Sequence, residues 1–193
     1  MRLPLLALLV AIIGSGCADV HARTSLPSSS APEIARSYLY GRFSLKSGSA
    51  TQPRLFLQLS NLATSEFLTV HLASDSEEMF LIDIAPGWYQ FTHLLTVKPL
   101  AMNFEVRRDP LRLPPALSFL GTPFEVQAGN AYYVGDWVGV FSRDVDYYVV
   151  VYRVQQQWGF HRIGFDIDGA TAEMKRLYPA MEQIQTWSAW RDH

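Results

Sequence analysis

The chain has a single cysteine among 193 residues, so no disulfide can close within it and its stability must come from an apolar core. It also lacks an excess of either charge. Sixteen Lys and Arg stand against 18 Asp and Glu, with no basic stripe, which argues against nucleic acid as a partner. No internal repeat recurs at a fixed period, and no second apolar run after the N-terminal one approaches the length of a membrane span. The five histidines, His21, His71, His93, His161 and His193, show no metal-ligand spacing. Asp144-x-Asp146 and Asp166-x-Asp168-Gly169 lack the longer series of oxygen ligands that a calcium loop requires, so they read as a hairpin turn and a helix cap. There is no G-x-S-x-G, since Gly14-Ser15-Gly16 lies in the leader and Gly48-Ser49 in a polar loop. No glycine-rich phosphate loop follows a strand, and nothing points to a paired-carboxylate glycosidase site. These absences predict no enzyme, no cofactor and no metal.

What is present begins at the N-terminus. Met1 and Arg2 precede an apolar run from Leu3 to Ile13, then Gly14-Ser15-Gly16-Cys17. A positive charge, a short apolar core and small residues make a secretory signal. The run is too short for a membrane-spanning helix, which needs about 20 residues. Gly14-Ser15-Gly16-Cys17 resembles the lipobox of bacterial lipoproteins, in which an aliphatic and two small residues precede the cysteine that receives lipid. Here Gly14 holds the aliphatic position and Ile13 comes one residue early. The resemblance implies a signal peptide over 1–16 and lipidation of Cys17. The alternative is ordinary cleavage after Ala18, which would discard Cys17. In enteric sorting, Ala18 after the cysteine implies an outer-membrane anchor facing the periplasm.

Residues 17–35 carry the cysteine and a stretch rich in Ser, Ala and Pro. They read as a flexible tether. Its 18–33 part would span roughly 20–25 Å as a random chain. Residues 36–193 form the predicted domain, and at 49% hydrophobic and 13% aromatic residues the chain can supply a core. Alternating apolar residues predict strands over 37–45, 54–60, 66–72, 78–84, 88–97 and 102–106. Leu55, Leu57 and Leu59 share one face, as do Phe80, Ile82 and Ile84. Pro86-Gly87 predicts a turn. A proline-rich crossing over 109–123 leads to Phe124-Glu125-Val126 and a second turn at 127–130.

Runs over 131–141 and 146–154 are apolar on both faces and predict central, doubly covered strands, with Tyr132 and Val134 on one side and Tyr133 and Trp137 on the other. Gly135 and Gly139 either make room for Trp137 or mark bulges. A last strand is predicted over 158–167. From about 169 the period becomes helical: Ala170, Met174, Leu177, Tyr178, Met181 and Ile184 recur three or four apart. Asp168 is the expected N-cap, and Pro179 should break the helix and open a second short one. The apolar face should cover the central strands.

The motifs Ala85-Pro86-Gly87-Trp88-Tyr89 and Val126-Gln127-Ala128-Gly129-Asn130-Ala131-Tyr132-Tyr133-Val134-Gly135-Asp136 resemble those of small bacterial lipoproteins with a transthyretin-like or carboxypeptidase-regulatory-like β-sandwich. The resemblance covers roughly residues 36–155 and implies a mainly β fold, an antiparallel sandwich, with a C-terminal helical segment. It carries over no catalytic residue. The expected role is a non-enzymatic envelope lipoprotein, held to the membrane by lipid and acting through contacts with another envelope protein. The alternative is a carbohydrate- or peptidoglycan-binding module, with Trp88, Tyr89, Tyr132, Tyr133, Trp137, Tyr147, Tyr148 and Tyr152 as an aromatic platform; the competing expectation is that most of these are core. Trp187 and Trp190 are candidates for touching a bilayer, against packing on the sheet.

Overall fold

A computed structural model describes residues 22–33, 35–46, 54–72, 78–99, 104–111, 115–147 and 152–190. Cys17, the expected signal peptide over 1–16 and His21 lie outside the described residues. The chain is mainly β. Its strands are β1 (Ala22–Arg23), β2 (Ser37–Lys46), β3 (Arg54–Asn61), β4 (Phe67–Leu72), β5 (Glu78–Ile84), β6 (Gly87–Pro99), β7 (Phe104–Pro110), β8 (Phe124–Val126), β9 (Asn130–Tyr147), β10 (Tyr152–Gly164) and β11 (Gln185–Ser188). Among the described residues one helix, α1 (Ile167–Leu177), lies near the C-terminus, and 3-10 turns occupy Pro115–Gly121 and Pro179–Met181.

The strands form two sheets. The first runs β1-β4-β3-β6-β7, with β8 pairing the start of β6. The second runs β10-β9-β2-β5, with β11 pairing the start of β9. Neighbours that follow one another in the chain are antiparallel, but β1 on β4, β2 on β9 and β11 on β9 are parallel. The expectation of purely antiparallel sheets is therefore corrected: both are mixed. The reason is topological. A tight turn forces its two strands to run antiparallel. Tyr38 pairs with Ala131 across nearly half of the chain, and no such turn sets their direction.

The strands read at 131–141, 146–154 and 158–167 are two, not three. β9 runs unbroken to Tyr147 and β10 returns from Tyr152 to Gly164. Asp144 and Asp146 do not turn a hairpin; they lie within the ladder, opposite Gln155 and Arg153. A bulge near the start of β9 also breaks the strict period of two. Between Tyr40↔Tyr133 and Arg42↔Asp136, β2 contributes one residue and β9 two, and the extra residue changes the phase of everything beyond it. Gly135 takes φ +96° there, a backbone conformation glycine adopts at little cost. On β2, a side chain at Gly41 would collide with the Gly135 carbonyl oxygen. The phase change moves Trp137 from the face of Tyr133, where the sequence put it, to that of Tyr132 and Val134.

Side chains from one face of each sheet meet in a single apolar cluster. Leu55, Leu57, Leu59, Val70, Tyr89 and Phe91 come from the first sheet, and Leu39, Phe43, Ile82, Tyr132, Val134 and Trp137 from the second. The opposite face of the second sheet carries Tyr38, Tyr40, Leu81, Ala131 and Tyr133. It is covered by Ala170, Met174, Tyr178, Met181 and Ile184. The predicted covering role of the C-terminal segment is thus observed, with Leu177 only partly buried at its margin.

Candidate functional site

α1 is fastened to the second sheet by a polar clasp. Arg42 lies on the same face of β2 as Tyr38 and Tyr40, so its partners must come from what covers that face. Its Nε donates to Glu173 at 2.8 Å and its Nη1 to Asp136 at 3.3 Å and Asp166 at 3.5 Å. Burial disfavours the guanidinium's charge, yet Glu173, Asp136 and Asp166 together hold its pKa above the usual value. Asp166 also caps the helix, accepting from the Gly169 N–H at 3.0 Å. Asp168, the expected cap, sits one position inside the first turn.

The Asp166 N–H donates to the Tyr133 hydroxyl at 3.0 Å, and Tyr40 and Thr171 share a hydrogen bond of 2.7 Å. Burial, reinforced by the nearby Asp136 charge, keeps the Tyr133 phenol well above its ordinary range, and burial likewise raises Tyr40. These groups hold the helix. Ion-paired, capped and neutralised as they are, they form a structural clasp.

A second polar group lies along β5, at the open edge of the second sheet. Residues 22–26, read from composition as part of a flexible tether, cross from one sheet to the other. Ala22 and Arg23 pair with Thr69 and Val70 of β4. The Arg23 guanidinium donates to the Asp83 carbonyl at 2.7 Å and its carboxylate at 2.6 Å. The Leu81 N–H donates to Ser25 Oγ at 3.0 Å, and the Leu26 N–H donates to the Leu81 carbonyl at 2.7 Å. Ser25 Oγ also meets the Tyr178 hydroxyl at 2.8 Å, and Leu26 packs against the cluster under α1. Arg36 adds a contact to Asp83 at 3.4 Å. The tether reading is corrected for these residues. A polar segment docks when it can satisfy backbone groups that a strand edge leaves exposed. The signal available in the sequence was slight: Leu26 is the one large apolar residue between Ala22 and Glu33, and Arg23 stands three residues before it.

The predicted aromatic platform divides. Tyr89, Tyr132, Tyr133 and Trp137 are buried. Tyr148 and the side chains of Tyr147 and Tyr152 lie outside what is described. Trp88 is exposed, opposite Glu125 in the ladder between β6 and β8. Its carbonyl accepts from the N–H of Leu62, another exposed apolar residue. Phe67 is 50% exposed, with the Arg108 guanidinium 4.5 Å from its ring centre and His93 at its edge. Burial, then the charge of Arg108, lowers the pKa of His93. His71 packs on Phe56 at 5.0 Å, as an ordinary strand residue. His193 and the side chain of His161 lie outside the described residues. Trp190 is buried among Phe91, Phe119 and Phe124, whereas Trp187 is partly exposed and donates to Asn130 at 3.4 Å. Among the described residues no three of His, Cys, Asp and Glu gather as a metal would require, and no helix is long and apolar enough to cross a membrane.

The chain matches no protein-family model and no curated protein. Among solved structures, 54% of it aligns with a leucine-rich repeat protein from Bacteroides thetaiotaomicron at a TM-score of 0.32 and 9% identity, spanning 14% of that protein's length. A likeness of that size carries no argument about fold or role.

Proposed function

We propose that this chain is an envelope lipoprotein without enzymatic activity of its own, anchored through Cys17 and acting by contact with another envelope protein. The observation that carries the contact reading is the β5 edge. The N–H and carbonyl of Leu81 and the carbonyl of Asp83 are met there by a short crossing segment rather than by a neighbouring strand of regular length. Strand edges that need a partner are a recurrent means of protein recognition. The location follows from Met1–Cys17, through their resemblance to lipoprotein signals, and the outer membrane from Ala18. We further infer a β-sandwich body, in the broad sense of the transthyretin-like lipoproteins that the turn motifs resemble. One apolar cluster fed from both sheets supports this.

Crosslinking in intact cells should recover a specific envelope protein, while broad hydrolase assays stay blank. Recovery of nothing beyond abundant bystanders would overturn the contact reading. Intact-mass measurement tests the anchor separately: acylation at Cys17 supports it, and an unmodified N-terminus at Asp19 sinks it. The carbohydrate-binding reading keeps one observation in its favour, the exposure of Trp88 and Phe67. Saturable glycan binding lost in Trp88→Ala, with the fold intact, would establish it. Trp137 is unsuited to that test because it is core.

A further inference from the structure

We propose that the β5 edge is a strand-accepting surface closed in cis by residues 22–26, and that its occupant in trans is the same segment of a second copy of this chain. This deepens the contact reading by naming one partner. Leu81 and Asp83, two apart on β5, project their backbone groups to the same outward side. A full neighbouring strand would meet them with its backbone alone. Among the described residues the backbone donor to this edge is the Leu26 N–H; Ser25 Oγ accepts from the Leu81 N–H and the Arg23 guanidinium donates to the Asp83 carbonyl.

The closure is therefore short and rests largely on side chains. On the β4 side it extends over two residues, Thr69 and Val70. One apolar side chain, Leu26, anchors it. Its contacts are with residues more than forty positions away, so each would be equally good on another copy. Pro27–Glu33, which leads from the crossing segment to the body, carries two prolines and three serines and is mostly exposed. It extends to roughly 23 Å. Reciprocal exchange of such a segment produces a two-fold dimer with no new interface chemistry. The occupant is fixed by the chemistry of the edge, which takes a cation at Asp83 and then, two and three residues further on, a hydroxyl for the Leu81 N–H and an aliphatic side chain.

The test uses the purified mature chain with Cys17→Ser. Ala22→Cys and Thr69→Cys, a register pair of the docked segment that leaves Arg23 and Asp83 in place, are made separately, mixed at high concentration and oxidised. Exchange predicts a disulfide-linked dimer between the two variants. Its yield should exceed by about tenfold that of Ala22→Cys mixed with Glu125→Cys, an exposed control, because docking raises the local concentration of the thiols. Equal yields overturn the proposal. Deleting Ser28–Ser30 shortens the connection and should shift sedimentation from monomer toward dimer. A folded, strictly monomeric deletion variant also overturns it, and if that variant fails to fold the mixing experiment decides alone. Because no second protein is present, the result is independent of whether another envelope partner exists.

Discussion

At the scale of single residues, Gly41 and Gly135 set the register of the second sheet. Gly135→Ala places a Cβ on a backbone at φ +96°, and Gly41→Ala drives one against the facing carbonyl. Each should cost about 1–3 kcal/mol, read from urea unfolding. A wild-type midpoint for either would show that the bulge does not set the register. The buried phenols give a second prediction. Tyr133 and Tyr40 have pKa values raised by burial, so the native state holds their protons more tightly than the unfolded chain does. Their contribution is intact below the unfolded value of about 10 and is lost as pH rises above it. Stability measured from pH 8 to 11 should be flat and then fall, and the fall should be smaller in Tyr133→Phe. The sequence pointed to Gly135 as a possible bulge, but it could not show that the bulge turns Trp137 over. That depends on β2, which meets β9 only in the folded chain.

At the scale of elements, α1 earns its place through a few buried side chains. Met174 is fully buried and Leu177 is at the margin. Met174→Ala should therefore cost about 2–5 kcal/mol and Leu177→Ala distinctly less, by thermal or chemical unfolding. Equal costs would mean the helix packs differently. Asp166→Ala removes the cap and should cost about 0.5–2 kcal/mol; Asp168→Ala should cost little. The helix and its break at Pro179 were legible because a period near four contrasts with the alternation before it. The helix start was misplaced by two residues because Asp166 and Asp168 are chemically equivalent and only geometry chooses between them. β11 was not legible. Its four residues follow a helical pattern closely, and what makes them a strand is the free flank of β9 beside them. The Arg42 clasp escaped for the same reason, since its three acids come from β9, the helix cap and α1.

At the scale of the whole molecule, the mainly β character could be read from alternation, whereas the mixed pairing could not, because alternation identifies a strand and not its neighbour. The N-terminal segment makes the same point. Ser and Pro richness speaks of weak local preference, which the β4 and β5 edges override. Removing residues 22–26 should speed hydrogen exchange at the Leu81 amide and lower the melting temperature. Unchanged exchange there would show that the segment does not protect the edge.

The parallel pairing of β2 with β9 has a consequence for how the molecule is made. A chain delivered from its N-terminus can form the first sheet's β3, β4 and β6 early, because they follow one another closely. β2 must wait beside β5 until β9 arrives, and the tyrosines on its outer face stay bare until α1 and β11 follow. Long-range pairing of this kind is slow to form and leaves apolar surface open in the interval. The second sheet is thus covered only when α1 and β11 are in place. A stalled or shortened copy is left with an unpaired strand and uncovered rings, a state that chaperones and proteases can distinguish from the finished protein.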